Sequence, residues 1–133
     1  METLSPDLFW LAATAAMTML LWVPHVSWLI LQEGLFPALM DGNHVMQVKP
    51  KWAKRAQKAH TNATDNLAAF GILVLVAHLA GIDPAATGQL AMYYFILRAL
   101  HYVVYTLGLP IIRTAIYLAA IGVEIAIAQQ FFG

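Results

Sequence analysis

Four long apolar stretches constrain the fold of this chain more than any other feature of its sequence. The first of them, Leu8 to Gln32, contains no charged residue, and the other three contain few. A transmembrane helix needs about 20 predominantly apolar residues. The sequence therefore predicts an all-α integral membrane protein built as a bundle of four transmembrane helices. The predicted spans cover approximately residues 8–31, 57–81, 86–107 and 111–131.

The composition agrees with a membrane protein and excludes several other classes. Hydrophobic residues make up 61% of the 133 residues and charged residues 11%, against about 45–50% and about 25% in soluble domains. The absence of cysteine excludes a disulfide-stapled domain and a cysteine-based metal or redox site. A net charge of zero gives no reason to expect a nucleic-acid partner. We therefore expect one membrane domain over residues 1–133, in contact with membrane lipids.

The connections between the spans predict their orientation. Gly81–Pro84 and Gly108–Pro110 are short turns, which make the helices that they join antiparallel, whereas residues 33–54 form one long loop. Basic residues near the ends of spans mark the cytosolic side. They gather in and after the long loop and at the second turn, at Lys49, Lys51, Lys54, Arg55, Lys58 and Arg113. We therefore expect a cytosolic long loop and non-cytosolic termini, in the inner membrane if the source is bacterial.

Three charged residues lie inside the predicted spans at similar depths. Asp65 and Glu124 follow basic residues at the cytosolic ends of their helices by ten and eleven positions, which is about 15–16 Å of helix. Arg98 precedes the cytosolic end of its helix by about 14 Å. A charge in the middle of a bilayer costs about 2.5–3.5 kcal/mol or more unless it is paired or faces water. The three residues are therefore candidates for one functional layer.

Polar residues continue from these charges along one edge of each helix. The spacing of three, four and seven residues places them on a single helical face. They are Arg55, Lys58, Asn62 and Asp65 on the second span, Arg98, His101 and Tyr105 on the third, and Arg113, Tyr117 and Glu124 on the fourth. Together these edges predict a polar cleft that opens towards the cytosol.

A purely structural interpretation of the charged layer stays open beside the functional one. Asp65 and Arg98 can form a buried ion pair that fixes the register of the helices and has no other role. Such pairs are often no more stabilising than apolar packing, whereas ionisable residues inside a membrane are functional candidates by default. His25, His44 and His78 are scattered without the spacing of metal ligands, so we predict no metal site.

Two sequence motifs carry a resemblance to a known family. Lys58-Ala-His-Thr-Asn62-Ala-Thr-Asp65 opens the second span, and Arg98-x-x-His101-x-x-x-Tyr105 is followed by Pro110-Ile-Ile-Arg113-Thr114-x-x-Tyr117. The combination resembles the MAPEG superfamily, the membrane-associated proteins in eicosanoid and glutathione metabolism. The matching positions span residues 55–117, and the layout of four helices accounts for the rest of the chain.

The resemblance implies a homotrimer that binds glutathione between neighbouring subunits near the cytosolic side. It implies that Arg113 stabilises the glutathione thiolate and that the Thr114 hydroxyl assists. The positions that correspond to glutathione-binding residues are Lys58, Asn62, Asp65, Arg98, His101, Tyr105 and Tyr117. The implied activity is that of a transferase or peroxidase in which the thiolate attacks a lipophilic electrophile. Glutathione would serve as co-substrate, without a metal.

Several positions depart from the family pattern and keep other functions open. Residues 32–40 lack the arginine that family enzymes often carry there, and Thr61 stands where another arginine is usual. Asp65 replaces a glutamate, and Glu124 corresponds to no shared role; it is either protonated or paired with Arg98 across a subunit boundary. The alternatives are a non-catalytic lipid-binding scaffold and a small four-span, proton-coupled exporter.

Overall fold

The computed structural model describes residues 3–40 and 49–133, and this part of the chain contains no strand. Six helices follow one another: α1 (Pro6–Leu20), α2 (Val23–Glu33), α3 (Leu35–Met40), α4 (Lys51–Leu79), α5 (Pro84–Leu107) and α6 (Pro110–Gln129). Residues 41–48 of the predicted long loop lie outside the described residues. Helix α4 begins at Lys51, after Pro50, and so takes in the end of that loop.

The described helices supply four segments long and apolar enough to cross a membrane. They are Pro6–Glu33, which joins α1 and α2, and then α4, α5 and α6. In the most apolar stretch of each segment, only 17–22% of the residues are buried within the protomer. The apolar side chains that remain exposed suit a lipid environment or a neighbouring subunit. The predicted all-α fold with four membrane-spanning helices is therefore confirmed.

The first span is broken in its middle by a proline. Helix α1 ends at Leu20, and α2 begins at Val23 with Pro24 in its first turn. Proline has no N–H to donate and its ring clashes with the carbonyl one turn earlier, so an α-helix breaks or kinks there. The hydroxyl of Tyr102 donates a hydrogen bond of 3.1 Å to the carbonyl oxygen of Leu21 at this break. The Leu21 carbonyl at the break thus has a side-chain partner on α5.

Tight turns make α4, α5 and α6 antiparallel neighbours. Gly81 and Gly108 adopt φ angles of 74° and 80°, which a residue without Cβ adopts at little cost. The Asp83 side chain then caps α5 by accepting a hydrogen bond of 3.0 Å from the N–H of Ala85. The core between these helices contains Phe70 stacked on Tyr94, with ring centroids 3.9 Å apart. The two glycine turns that the sequence predicted are therefore present.

A buried polar cluster closes the end of the bundle that lies away from the Gly108 turn. The carboxylate of Asp7, fully buried, accepts hydrogen bonds from the Ser5 hydroxyl at 2.5 Å and the Leu8 N–H at 2.9 Å. Its other oxygen lies 2.9 Å from Nδ1 of His78 at the end of α4. This cluster joins the start of α1 to the end of α4, and it was not predicted from the sequence.

Close packing at this end generates a stability prediction. A Cβ on Gly88 of α5 would lie 2.6 Å from Cβ of Pro6 and 2.8 Å from its carbonyl carbon. We expect Gly88→Ala to lower the free energy of unfolding by about 1–3 kcal/mol, because backbone cannot move aside as a flexible side chain does. Gly71→Ala is the matched control, since its Cβ would meet only Leu11 at 3.6 Å. Thermal unfolding of both variants in one detergent tests the prediction, and equal melting temperatures would contradict it.

Candidate functional site

A polar cavity of about 200 Å³ opens between α4, α5 and α6 at the end of the bundle that carries the Gly108 turn. Its walls combine one amide, one imidazole, two phenols, one guanidinium and one aliphatic hydroxyl. The lining residues are Asn62, His101, Tyr105, Arg113, Thr114 and Tyr117. All six are among the nine residues that the sequence motifs singled out. The three helices therefore do turn polar edges towards one another at this end.

Arg113 is positioned by its stacking against Tyr105. Its guanidinium carbon lies 4.4 Å from the centroid of the Tyr105 ring, a distance at which a cation is attracted to the face of an aromatic ring. His101 packs edge-on against the same tyrosine, with ring centroids 5.6 Å apart, and lies 6.1 Å from the Tyr117 ring. The half-buried guanidinium of Arg113 thus lies against the aromatic side chains that line the cavity.

The Thr114 hydroxyl is already engaged with the backbone. Its oxygen lies 3.0 Å from the carbonyl oxygen of Pro110, one turn earlier, to which it donates. Thr114 is exposed. While its hydroxyl donates to the backbone, the hydroxyl oxygen can still accept a hydrogen bond from a ligand. It must rotate before it donates a hydrogen bond to a thiolate. The assisting role that the resemblance implied for Thr114 therefore requires this rotation.

Arg98 lies beneath the cavity rather than in its wall. It is only 2% exposed, and its Nη2 donates a hydrogen bond of 2.6 Å to the side-chain oxygen of Asn62. Its Nε has no hydrogen-bond partner among the described residues. Glu124 of α6 is also buried, at 6% exposed. Arg98 therefore reaches the cavity through Asn62 and not by direct contact.

The structure does not bring Asp65 and Arg98 together within the protomer. Asp65 is exposed on α4, three positions beyond Asn62. Within residues 3–40 and 49–133, Asp7 and His78 form the only pair of acidic and basic side chains closer than 4 Å. Of the three charges that the sequence placed in one layer, Arg98 and Glu124 are thus both buried inside the bundle, and Asp65 is exposed.

Lys58 belongs to a second, wider depression along the first turns of α4. This depression has a volume of about 410 Å³ and is lined by Lys54, Gln57, Lys58 and Thr61. The amine of the buried Lys49 donates a hydrogen bond of 2.9 Å to Gln57, and loss of solvation lowers the pKa of that amine. Lys58 itself is exposed and does not line the smaller cavity.

No metal site was predicted, and the geometry offers no candidate in the described part of the chain. Residues 3–40 and 49–133 contain no group of three histidine or acidic side chains close enough to hold a metal ion. His25 and His60 approach one another, with ring centroids 5.9 Å apart, but without a third ligand. His44 lies outside the described residues.

The fold and the cavity together define a multi-pass integral membrane protein with a polar site between its helices. The chain matches the family model described as "MAPEG family" over residues 8–132, and it belongs to that family. A search of curated proteins and of solved structures gave no significant match. Membership in this family places the chain among membrane proteins of glutathione and eicosanoid metabolism.

The turn beside the cavity generates a second stability prediction. Arg55 of α4 donates a hydrogen bond of 2.9 Å to the carbonyl oxygen of Thr106, and its guanidinium lies against Gly108. We expect Arg55→Ala to lower the free energy of unfolding by about 1.5–3 kcal/mol, the usual value for a hydrogen bond to a charged group. Amide hydrogen exchange at Gly108 should accelerate. Lys51→Ala, which removes an exposed cation from the same helix, is the control; equal effects of both changes would contradict this assignment.

Proposed function

We propose that this protein is a glutathione-dependent membrane transferase or peroxidase that acts on lipophilic electrophiles. The observation that carries the proposal is the cavity itself, in which Arg113, Asn62 and His101 lie together between α4, α5 and α6. Glutathione brings two carboxylates, an ammonium group and a thiol, and the cavity offers a cation and several hydrogen-bonding groups. Family membership supports glutathione as the co-substrate.

The role of Arg113 is to raise the fraction of glutathione that is present as thiolate. A free thiol has a pKa of about 8.5, and a fixed cation beside it favours the charged form. The aromatic wall restricts access of water on one side of the guanidinium, which strengthens this effect. The thiolate then attacks an electrophile that arrives from the bilayer. With an aryl halide, the sulfur–carbon bond forms, the halide leaves, and the thiol proton passes to water.

One protomer offers only part of a glutathione site. Pockets for drug-sized ligands usually measure about 300–1,000 Å³, so a cavity of about 200 Å³ suits the cysteinyl portion rather than the whole tripeptide. Asp65 and Lys58 are exposed on α4, and exposure of Asp65 to lipid would be costly. We propose that a neighbouring copy covers this face in a homotrimer, and that Asp65 binds the glutathione ammonium group at the subunit boundary.

The proposed orientation places the cavity at the cytosolic surface. The Gly108 turn, Arg113 and the basic start of α4 lie at the same end of the bundle as the cavity. Basic residues favour the cytosolic side, where a water-soluble thiol would enter. Both termini would then lie on the other side.

Removal of Arg113 tests the proposed chemistry. We expect Arg113→Ala to lower kcat about 10²–10³-fold with an aryl halide or a lipid hydroperoxide, which is the usual loss when a charge-stabilising group is removed. The oligomer should stay intact by light scattering. Lys51→Ala removes an exposed cation from the same end and should leave kcat unchanged. Wild-type rates from Arg113→Ala would refute the assigned role, and glutathione binding without any turnover would favour the lipid-binding scaffold.

Asp65 provides a test of the shared site. We expect Asp65→Asn to weaken glutathione binding about 10-fold, since it removes the charge that receives the ammonium group. Titration calorimetry of the detergent-solubilised oligomer measures this affinity. Glutathione that lacks its amino group should bind wild type and Asp65→Asn equally. If Asp65→Asn weakens both peptides to the same extent, Asp65 does not recognise the ammonium group.

A further inference from the structure

The depression along the first turns of α4 has no part in the proposed glutathione chemistry. Its volume is about 410 Å³, which lies within the usual range for ligand pockets. None of its lining residues, Lys54, Gln57, Lys58 and Thr61, lines the polar cavity between α4, α5 and α6. The depression is therefore a separate site, and the chemistry of its wall indicates what it binds.

A buried cation stands directly behind this wall. Lys49 is only 6% exposed, and its Nζ donates a hydrogen bond of 2.9 Å to the side-chain oxygen of Gln57. A lysine ammonium carries three donors, and a buried charge is costly unless it is paired. Gln57 is neutral, so it satisfies one donor and leaves the charge unbalanced. Lys49 thus places a fixed positive charge beside the depression.

Two further cations belong to the wall itself. Lys54 and Lys58 are exposed and lie one turn apart on the same face of α4, where like charges repel one another. Within residues 3–40 and 49–133, no acidic side chain lies within 4 Å of these two lysines or of Lys49. Three ammonium groups therefore meet around Gln57 without a counter-charge from the described part of the chain.

The neutral groups of the wall also suit an anion. The oxygen of the Gln57 amide is engaged by Lys49, so its NH₂ group is available to donate. The Thr61 hydroxyl donates to the Gln57 carbonyl oxygen at 3.1 Å. No carboxylate is among the lining residues that the structure describes. A phosphate monoester brings three acceptor oxygens and up to two negative charges, which matches this wall better than a carboxylate with a single charge.

We propose that the depression binds a phosphate monoester, with Lys49, Lys54 and Lys58 as its counter-charges and the Gln57 amide as a further donor. Two sources supply this chemistry at the end where α4 enters the membrane: phosphatidic acid in the leaflet and a soluble phosphate monoester. Asp65 lies about 6 Å of helix deeper than Thr61. A subunit boundary at Asp65 is therefore compatible with a ligand that enters from the outer end of the depression.

Two binding measurements separate the sources. Glycerol 3-phosphate is titrated into the detergent-solubilised oligomer by calorimetry. Phosphatidic acid is offered to the oligomer in phosphatidylcholine nanodiscs, and the retained lipid is counted by native mass spectrometry, with phosphatidylglycerol as the phosphodiester control. Binding of glycerol 3-phosphate supports a soluble ligand, and retention of phosphatidic acid over phosphatidylglycerol supports a lipid. Failure of both probes to bind would overturn the proposal.

Lys49→Met tests the role of the buried cation with whichever of the two probes wild type binds. We expect the Kd to rise about 10-fold, because a charge-assisted hydrogen bond to the phosphate is lost. Lys51→Met is the matched control, since it removes an exposed cation from the same helix outside the depression. Its Kd should stay within about 2-fold of wild type. Equal losses in the two variants would overturn the proposal.

Glutathione tests whether the two sites are separate. Saturating glutathione should leave the Kd of the phosphate probe unchanged, since the depression and the polar cavity share no lining residue. Displacement of the probe by glutathione would overturn the proposal, because the depression would then belong to the glutathione site. A protein that binds the probe without turning over glutathione would refute the proposed function and leave this inference standing.

Gln57→Glu provides a variant that keeps the size of the side chain. It sets a carboxylate beside the Lys49 ammonium and so supplies the counter-charge from within the protein. The probe that wild type binds should raise the melting temperature of wild type and leave that of Gln57→Glu unchanged. Light scattering confirms the oligomer in each variant, and this test replaces Lys49→Met if that variant does not assemble. A shift of wild-type size in Gln57→Glu would overturn the proposal.

Discussion

The burial of the Arg98 guanidinium is the constraint on which the arrangement of the bundle depends. A guanidinium remains charged inside a protein, and a charge in a membrane-spanning segment must find partners. Arg98 obtains one from α4, where the Asn62 side-chain oxygen accepts a hydrogen bond from its guanidinium. Two of the membrane-spanning helices are thereby fixed relative to one another. The polar cavity lies directly above this junction.

The two ends of the bundle differ in what their polar groups can do. At one end Asp7 is fully buried and accepts hydrogen bonds from Ser5 and Leu8, beside the His78 ring, so its oxygens are used within the protein. At the other end the polar groups of the cavity keep donors and acceptors for a ligand. The first end joins two helices, and the second is where we propose that glutathione binds.

Much of the fold and of the site follows from the periodicity of the sequence. Long apolar runs predict the membrane-spanning helices, and glycine before proline predicts the turn at Gly108. A spacing of four residues pairs His101 with Tyr105 on α5 and Arg113 with Tyr117 on α6, and both pairs line the cavity. These predictions succeed because they depend on the geometry of a single helix, which the chain fixes locally.

The remaining features depend on how the helices pack against one another. The periodicity of a single helix carries no information about that packing. Asp65 follows Asn62 by three positions and so shares its broad face, yet the rotation of α4 leaves it exposed. Glu124 matches no motif, and only the packing of α6 shows that it is buried. The contact between Asp7 and His78 joins residues 71 positions apart. The break of the first helix near Pro24 could have been predicted from that proline.

The central claim is that this cavity holds glutathione as a thiolate beside Arg113. The most direct measurement is the ultraviolet absorbance of the thiolate when glutathione is titrated into the purified oligomer at neutral pH. We expect a thiolate band that saturates with glutathione in wild type and is absent in S-methyl glutathione controls. Saturable binding of glutathione with no thiolate band would contradict it.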